Sequence, residues 1–387
     1  MVDEGLDSET IDDRYQSIVT SQPGWQKRKR EIKQELLGET SDTDNEIEPR
    51  IRDAIETEKD HDELLQSTIS AFDPRGRVCE ETGWRILASE PLVEQNLSNA
   101  DALIGNPDQS RAIIVECKTG LSTPGRALEQ LFEAAVHVRD YQDYLEEQTG
   151  LRIEDIDCVL CVPSQHDRRV ARIIEEYEQN GDAEELVYIW RLNRFSGETL
   201  QLYENIDTRE STETSHDHDL TRLLSGDGIR VAGESEVTPA FFPSSHLANI
   251  IEVAFSEVIW NRERADKPVT NFTQSELTDV LTSQNNLLHY AGESIGKRIR
   301  DEVLPRLLEY GLIEPYDADD EDLDWNEVEG FAYGVNGRTM ETILANLTEE
   351  YFEAEVDALA EEKARKQTIE QFREEVGSFG NVDFEGE

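Results

Sequence analysis

In the stretch DALIGNPDQSRAIIVECKTGLSTPGRALEQ, residues 101–130, Asp101, Glu116, Lys118 and Gln130 stand at spacings that suit metal-assisted hydrolysis of a phosphodiester. That reaction needs a divalent cation to neutralise the phosphate, a hydroxide formed beside it, and a group that steadies the nucleophile. Magnesium or manganese takes hard oxygen ligands and keeps several waters, so the carboxylates of Asp101 and Glu116 suffice as protein ligands. Lys118 stands two residues beyond Glu116, and strand periodicity puts both side chains on one face. An ammonium there can hold the attacking water and oppose charge build-up on the phosphate.

The elements that must position these groups can be read around them. Two apolar runs, ALIG and AIIV, flank the turn material GNPDQ and predict a hairpin whose strands deliver Asp101 and Glu116. A helix is expected from Ser122, Thr123 and Pro124, with apolar residues at 127, 131, 134, 138, 141 and 145 forming one buried stripe and Gln130 beside it. Upstream, residues 50 to 72 read as helix. Asp73 and Pro74 then start a short helix that carries Glu80 and Glu81 and ends at Thr82 and Gly83. Downstream come strand IDCVLCV, helix RRVARIIEEYEQN and strands LVYIWRL and ETLQLY. Alternating strands and helices after a hairpin predict an α/β domain over residues 51–205, a mixed sheet covered on both faces.

Asp101, fourteen intervening residues, then Glu116, Cys117 and Lys118 at the end of an apolar strand resembles the PD-(D/E)xK nuclease superfamily, which includes restriction enzymes, Holliday junction resolvases and RecB-like nuclease domains. The resemblance covers about residues 60 to 205. It implies a restriction endonuclease-like fold, metal held by Asp101, Glu116 and the Cys117 carbonyl, and a catalytic Lys118. Gln130 matches the glutamine that many members carry on the following helix, and Glu80 or Glu81 would be the family's additional acid. Asp101 follows Asn99 and Ala100, with no proline before it, a common departure. Lys118 is the only lysine between Lys59 and Lys267. Where nearly every other base is arginine, a lysine at a strand end marks a need for a compact ammonium.

Charge at first argues against a nucleic-acid ligand: 86 acidic residues stand against 37 basic ones, a formal net charge of -49. The acids are spread along the whole chain, however, and arginine outnumbers lysine 28 to 9, which resembles the proteins of salt-loving archaea. At about 1 M salt the screening length is only about 3 Å, so distant acids hardly repel a phosphate backbone. Local residues therefore decide the ligand. No apolar run is long enough to cross a membrane, and MVDEGLDSETIDD lacks the basic start and apolar core of a signal peptide, so a cytoplasmic chain is expected. Cys158 and Cys161 form a C-x-x-C, but within an apolar strand residues three apart point to opposite faces, which predicts core packing.

The flanking regions carry partner signals. Residues 1–50 read as a polar arm whose basic run, Lys27 to Arg30, would contact a phosphate backbone or an acidic partner if it is not simply mobile. Residues 206–238 read as an acidic linker, with His216 and His218 in a solvated loop. Over residues 239–337, three helices followed by a hairpin give the order of a winged helix-turn-helix. The second helix is introduced by a capping box, Thr273 with Glu276, and a staple of Phe272 with Leu277. Lys297, Arg298, Arg300 and Arg306 on the third helix suit nucleic-acid binding, whereas the wing loop DADDEDLD suits a protein partner. Residues 338–387 form a long charged helix that either pairs two copies into a homodimer or packs back on the winged helix. The leading expectation is a Mg²⁺-dependent DNA endonuclease of repair or defence, with RNA also admitted as substrate. Its rival is a non-catalytic nucleic-acid-binding or regulatory protein built on the same scaffold.

Overall fold

The computed structural model describes residues 20, 24–38, 45, 47–92, 95, 97, 100–120, 124–180, 186–193, 198–203, 217–231, 245–284, 296–315, 330–337 and 339–379. They form two units, one of residues 1–54 with 349–387 and one of residues 55–348.

In the larger unit a mixed sheet of seven strands runs in chain order: β1 (Arg85–Ser89), β2 (Ala102–Asn106), β3 (Arg111–Cys117), β4 (Asp155–Pro163), β5 (Val187–Asn193), β6 (Thr199–Leu202) and β7 (Ile229–Arg230). The first three pair antiparallel, β3 to β5 are parallel, and β6 and β7 return antiparallel. Parallel neighbours need long crossovers, and helices supply them. β3 reaches β4 through two helices. The first two helices are α1 (Trp25–Leu36) and α2 (Glu48–Ser70), and α3 (Arg77–Thr82) leads into β1. The crossover is then α4 (Pro124–Asp140) and α5 (Gln142–Thr149), and α6 (Asp167–Asn180) joins β4 to β5.

The central strands are buried on both faces, as the run DIDCVLCVP requires. Against one face lie Ala127, Leu131, Ala134 and Val138 of α4 with Val170 and Ile174 of α6, packed on Leu103, Ile114, Cys158 and Leu160. The other face meets the helix that precedes the sheet: Thr68 of α2 contacts Cys161 Sγ at 3.3 Å, and Phe72 stacks on Trp190 with centroids 5.3 Å apart. Cys158 and Cys161 thus serve opposite faces as buried thiols outside any disulfide, as the alternation in the strand demands. Gly105 in β2 is fixed by close packing, since a Cβ there would lie 2.3 Å from Leu87 and 2.5 Å from Leu151.

The region expected as a linker, 206–238, departs from that expectation where it is described. α7 (His218–Leu224) is capped by Asp217, and β7 pairs with β6 to extend the sheet past residue 205. Leu220, Leu224, Ile229 and Val231 are all buried there. Four apolar residues among many polar ones are enough for one turn of contact and an edge strand, and their sparseness hid them. His218 is exposed, and His216 lies outside the described residues.

Beyond it, α8 begins at Leu247–Ile250, continues through a π-helical stretch Ile251–Phe255 and ends as Ser256–Arg264. β8 (Asn271–Thr273) precedes α9 (Gln274–Gln284), and a π-helical stretch Ile299–Val303 leads into α10 (Leu304–Glu309). The expected hairpin is present as β9 (Ile313–Pro315) and β10 (Gly330–Tyr333), but β10 also pairs with β8, giving a three-stranded sheet in the order β8-β10-β9. Phe255, Phe272, Phe331 and Tyr333 pack ring to ring at its centre, which explains why the Phe272 segment is drawn into a strand. The capping box forms as read: Glu276 N–H donates to Thr273 Oγ1 at 3.1 Å and Thr273 N–H donates to Glu276 Oε2 at 2.9 Å. The acidic wing, DADDEDLD, lies outside the described residues.

In the smaller unit α1 packs against α11 (Met340–Phe379). Lys33 reaches Asp357 at 2.7 Å, Lys29 pairs with Glu361, Arg28 lies over the Phe372 ring, and Trp25 is buried beside Phe372. The basic run, expected to face an outside partner or to be mobile, is therefore held against acids and aromatics of the C-terminal helix. No described helix is long and apolar enough to cross a membrane.

Candidate active site

Register alone brings the two carboxylates together. β2 and β3 pair with Ala102 opposite Val115, which sets Asp101 opposite Glu116 at the end of the hairpin. The strands exist because both runs are apolar and fully buried, and the turn between them, 107–110, is polar. Lys118 follows Glu116 on the same face, and its Nζ lies 2.6 Å from Glu116 Oε1. Its backbone N–H donates to Cys161 O at 2.9 Å, tying the residue to the end of β4. Asp101 is fixed by two donors, both on Oδ2: Cys117 N–H at 2.6 Å and His61 Nε2 at 3.1 Å.

His61 is the site residue that the sequence did not reveal. It sits on α2, forty positions before Asp101, and nothing in EKDHDELL marks it. Leu64, Leu65 and Thr68, buried on the same helix, dock α2 on the sheet and so set the histidine at the strand ends. A second unforeseen contributor is Glu90, just past β1. It is buried, its φ is +46°, and its backbone N–H donates to Asp101 O at 2.9 Å. A left-handed conformation in a non-glycine residue costs about 1–3 kcal/mol and persists only where its surroundings hold it. Here the surroundings include the backbone of Asp101.

The electrostatics follow from burial and close packing of four ionisable groups. Glu116 is 3% exposed. Burial, then the Asp101 charge, push its carboxyl up to about 8, against the pull of Lys118 and His61. For Asp101 burial works in the same direction but is outweighed by His61, Lys118 and the Cys117 N–H, so this carboxylate stays below its usual range. Burial disfavours charged His61 as well, yet the adjacent Asp101 overrides it and raises the imidazolium to about 10. Lys118 is held above the usual lysine range, its burial outweighed by Glu116 and Asp101. Two acids thus meet two cations, with Asp62 Oδ1 3.8 Å from the other nitrogen of His61, and one acid oxygen, Glu116 Oε2, is buried with no hydrogen-bond partner.

Other residues singled out in the sequence fall elsewhere. Gln130 lies in the second turn of α4, half-buried beside the apolar stripe, and makes no hydrogen bond to Asp101, Glu116 or Lys118. Glu80 and Glu81 are on α3, whose end lies at Asn106, the opposite end of β2 from Asp101: Asn106 Nδ2 donates to Thr82 O at 2.9 Å. Glu81 pairs with Arg77 in solvent. In the helical stretch that runs into α10, Arg298 pairs with Glu302 and Arg306 lies over the Tyr310 ring, while Lys297 and Arg300 are exposed.

The donor set suits a hard divalent ion in one respect. Magnesium needs only one or two carboxylates, and a buried carboxylate oxygen without a donor is a vacant ligand. Among the described residues no three of His, Cys, Asp and Glu come together around a common point, so an ion here would rest on Asp101, Glu116 and backbone or water oxygens.

Fold and site together define an α/β protein with a buried acid–base cluster at the carboxyl edge of a mixed sheet. Set against profiles of protein families, curated proteins and solved structures, the chain matches none.

Proposed function

We propose that the chain is a metal-dependent nuclease of the PD-(D/E)xK type, its sheet a restriction endonuclease-like core and residues 239–337 a winged helix-like delivery module. The observation that carries the proposal is the meeting of Asp101, Glu116 and Lys118 at one strand end, with Glu116 Oε2 buried and unpartnered. Asp101, Glu116 and the Cys117 carbonyl would hold Mg²⁺ or Mn²⁺, which when bound neutralises the scissile phosphate and acidifies water. The chain's own groups do the rest. His61 and the Cys117 N–H keep the Asp101 carboxylate ionised and oriented. Lys118 places a positive charge where the phosphate gains negative charge, and its short contact with Glu116 keeps it on the site's face. The substrate is a phosphodiester, DNA in the first instance; the cluster itself does not distinguish RNA.

The test is cleavage of linear, branched and single-stranded DNA and of RNA in molar KCl, with Mg²⁺ or Mn²⁺ against EDTA. Lys118→Met is expected to lower the rate at least about 100-fold, the usual scale for losing a transition-state charge. Equal rates for wild type and Lys118→Met sink the assignment. One observation favours a non-catalytic scaffold: each carboxylate already has a cation of the chain beside it, Lys118 by Glu116 and His61 by Asp101. Calorimetry separates the readings, because a scaffold takes up no Mg²⁺ at this site whereas the nuclease binds it in a manner that Glu116→Gln abolishes.

A further inference from the structure

The first two turns of α6 carry Arg168, Arg169 and Arg172, all exposed. None has an acid within ion-pair distance among the described residues. Spacings of three and four put the three guanidinium groups on one arc of the helix, opposite the buried Val170, Ala171 and Ile174. This arrangement is unfavourable in the free protein. Like charges three and four apart repel by a few tenths of a kcal/mol each, and cations at a helix N-terminus oppose its dipole. The one acid at that end, Asp167, is committed elsewhere: Oδ1 accepts from the Arg168 backbone N–H and Oδ2 from Arg191 Nη1 at 3.3 Å. The next acids, Glu175 and Glu176, come a turn later.

In a chain with 86 acids, relief was available and was used elsewhere. The other basic run is spent internally: Lys27 pairs with Glu31, Lys29 with Glu361, and Arg28 lies over Phe372. On the third helix of the C-terminal region Arg298 pairs with Glu302. Only on α6 do three bases within five residues stay unmatched on one face among the described residues.

Placement gives the patch a meaning. Cys117 of β3 is in register with Cys161 of β4, Lys118 bonds to Cys161 O, and β4 ends two residues later at Pro163, before α6 starts at Asp167. The arginines therefore rise from the same carboxyl edge as Lys118, one strand away, where open α/β sheets take their ligands. We infer that Arg168, Arg169 and Arg172 form the surface that grips the phosphate backbone of a nucleic acid strand and leads it to the Asp101–Glu116–Lys118 cluster. The inference rests on the proposed nuclease reading for what the strand is led to, but it is tested by binding alone.

The experiment is fluorescence anisotropy of the full chain with labelled duplex DNA, single-stranded DNA and RNA, in EDTA, across a KCl series. Wild type is expected to bind at least one of them with a log–log salt slope. The Arg168→Gln, Arg169→Gln, Arg172→Gln triple variant should lose about 2 to 3 from that slope and bind duplex about 25-fold more weakly at about 0.3 M KCl, at ~0.9 per phosphate contact. The triple Arg→Lys variant should keep the slope. Three results overturn the inference: no salt-dependent binding by wild type, an unchanged slope in the Gln variant, or equal losses in the Gln and Lys variants. A fourth is transfer of the effect to Lys297→Gln with Arg300→Gln. Failure of the nuclease reading shows separately, as Lys118→Met cleaving like wild type, and leaves the binding result standing.

Discussion

Replacing Glu116 by Gln should stabilise the protein, and do so increasingly as pH rises. In the folded chain the carboxyl is pushed up to about 8 by burial and by Asp101, whereas an unfolded glutamate titrates near about 4.3. A group whose folded pKa lies above its unfolded value contributes stability that is complete below the unfolded pKa and lost as pH rises through the folded one. For Glu116 that window runs from about 4.3 to about 8. The full difference corresponds to about 4–5 kcal/mol, and because Glu116 titrates in a field that Asp101 and Lys118 share we expect about 2–4 kcal/mol to be visible. Gln keeps the shape and can still accept from Lys118, but it has no charge to bury. Urea unfolding in molar KCl, followed by tryptophan fluorescence that the fully buried Trp84 and Trp190 tie to the sheet, should therefore give a wild-type stability that falls between pH about 5 and about 8. The variant should fall less by that amount. His61, raised to about 10, also loses stabilisation with rising pH, from about 6.5 upward, but it is present in both proteins and its main partner, Asp101, is unchanged in the variant. Adding Mg²⁺ should recover stability in the wild type alone, by binding the folded state. A wild-type-to-Gln difference that is the same at both pH values refutes the reasoning: it would mean that Glu116 is not held protonated by its surroundings.

Three further outcomes test other parts of the argument. His61→Asn removes a positive charge that lowers both Asp101 and Glu116, so both carboxyls should rise and the acid limb of the pH–rate profile of cleavage should move to higher pH; an unmoved limb detaches His61 from the site. Gly105→Ala forces a Cβ against Leu87 and Leu151 and should cost about 1–3 kcal/mol in urea unfolding, with cleavage per folded molecule preserved. Thr273→Ala breaks the capping box ahead of α9 and should cost about 1 kcal/mol, read by the same titration.

The sheet around the site was legible because its strands are apolar on both faces and punctuated by polar turns. The hairpin from Asp101 to Cys117 and the stripe on α4 follow from period and turn chemistry alone. Where apolar residues are few, tertiary packing decided instead. β7 and α7 hang on four buried residues in a stretch that reads as linker, and β8 exists because Phe272 joins an aromatic cluster drawn from residues far along the chain. Glu80 and Glu81 illustrate the reverse error. An acid on the helix preceding β1 satisfies a sequence pattern, but α3 approaches the hairpin from the Asn106 end, so its acids lie at the wrong edge.

For the site itself, sequence could name the anions and one cation but not the second cation, and the difference bears on how the cluster works. Asp101 and Glu116 face each other across one strand pair, so without help both could not stay charged. Spacing supplied Lys118, two residues from Glu116; folding supplied His61, from a helix whose own sequence points only to burial against the sheet. The two cations divide the labour unequally. His61 and the Cys117 N–H both act on Asp101 and keep it ionised, while Glu116, though touching Lys118, retains an unpartnered buried oxygen and a raised pKa. One carboxylate is therefore settled in the free protein and the other is left wanting positive charge. That asymmetry makes Glu116, rather than Asp101, the group whose protonation should respond to an arriving cation, and a proton released on Mg²⁺ binding at pH about 7, lost in Glu116→Gln, is the calorimetric signature it implies.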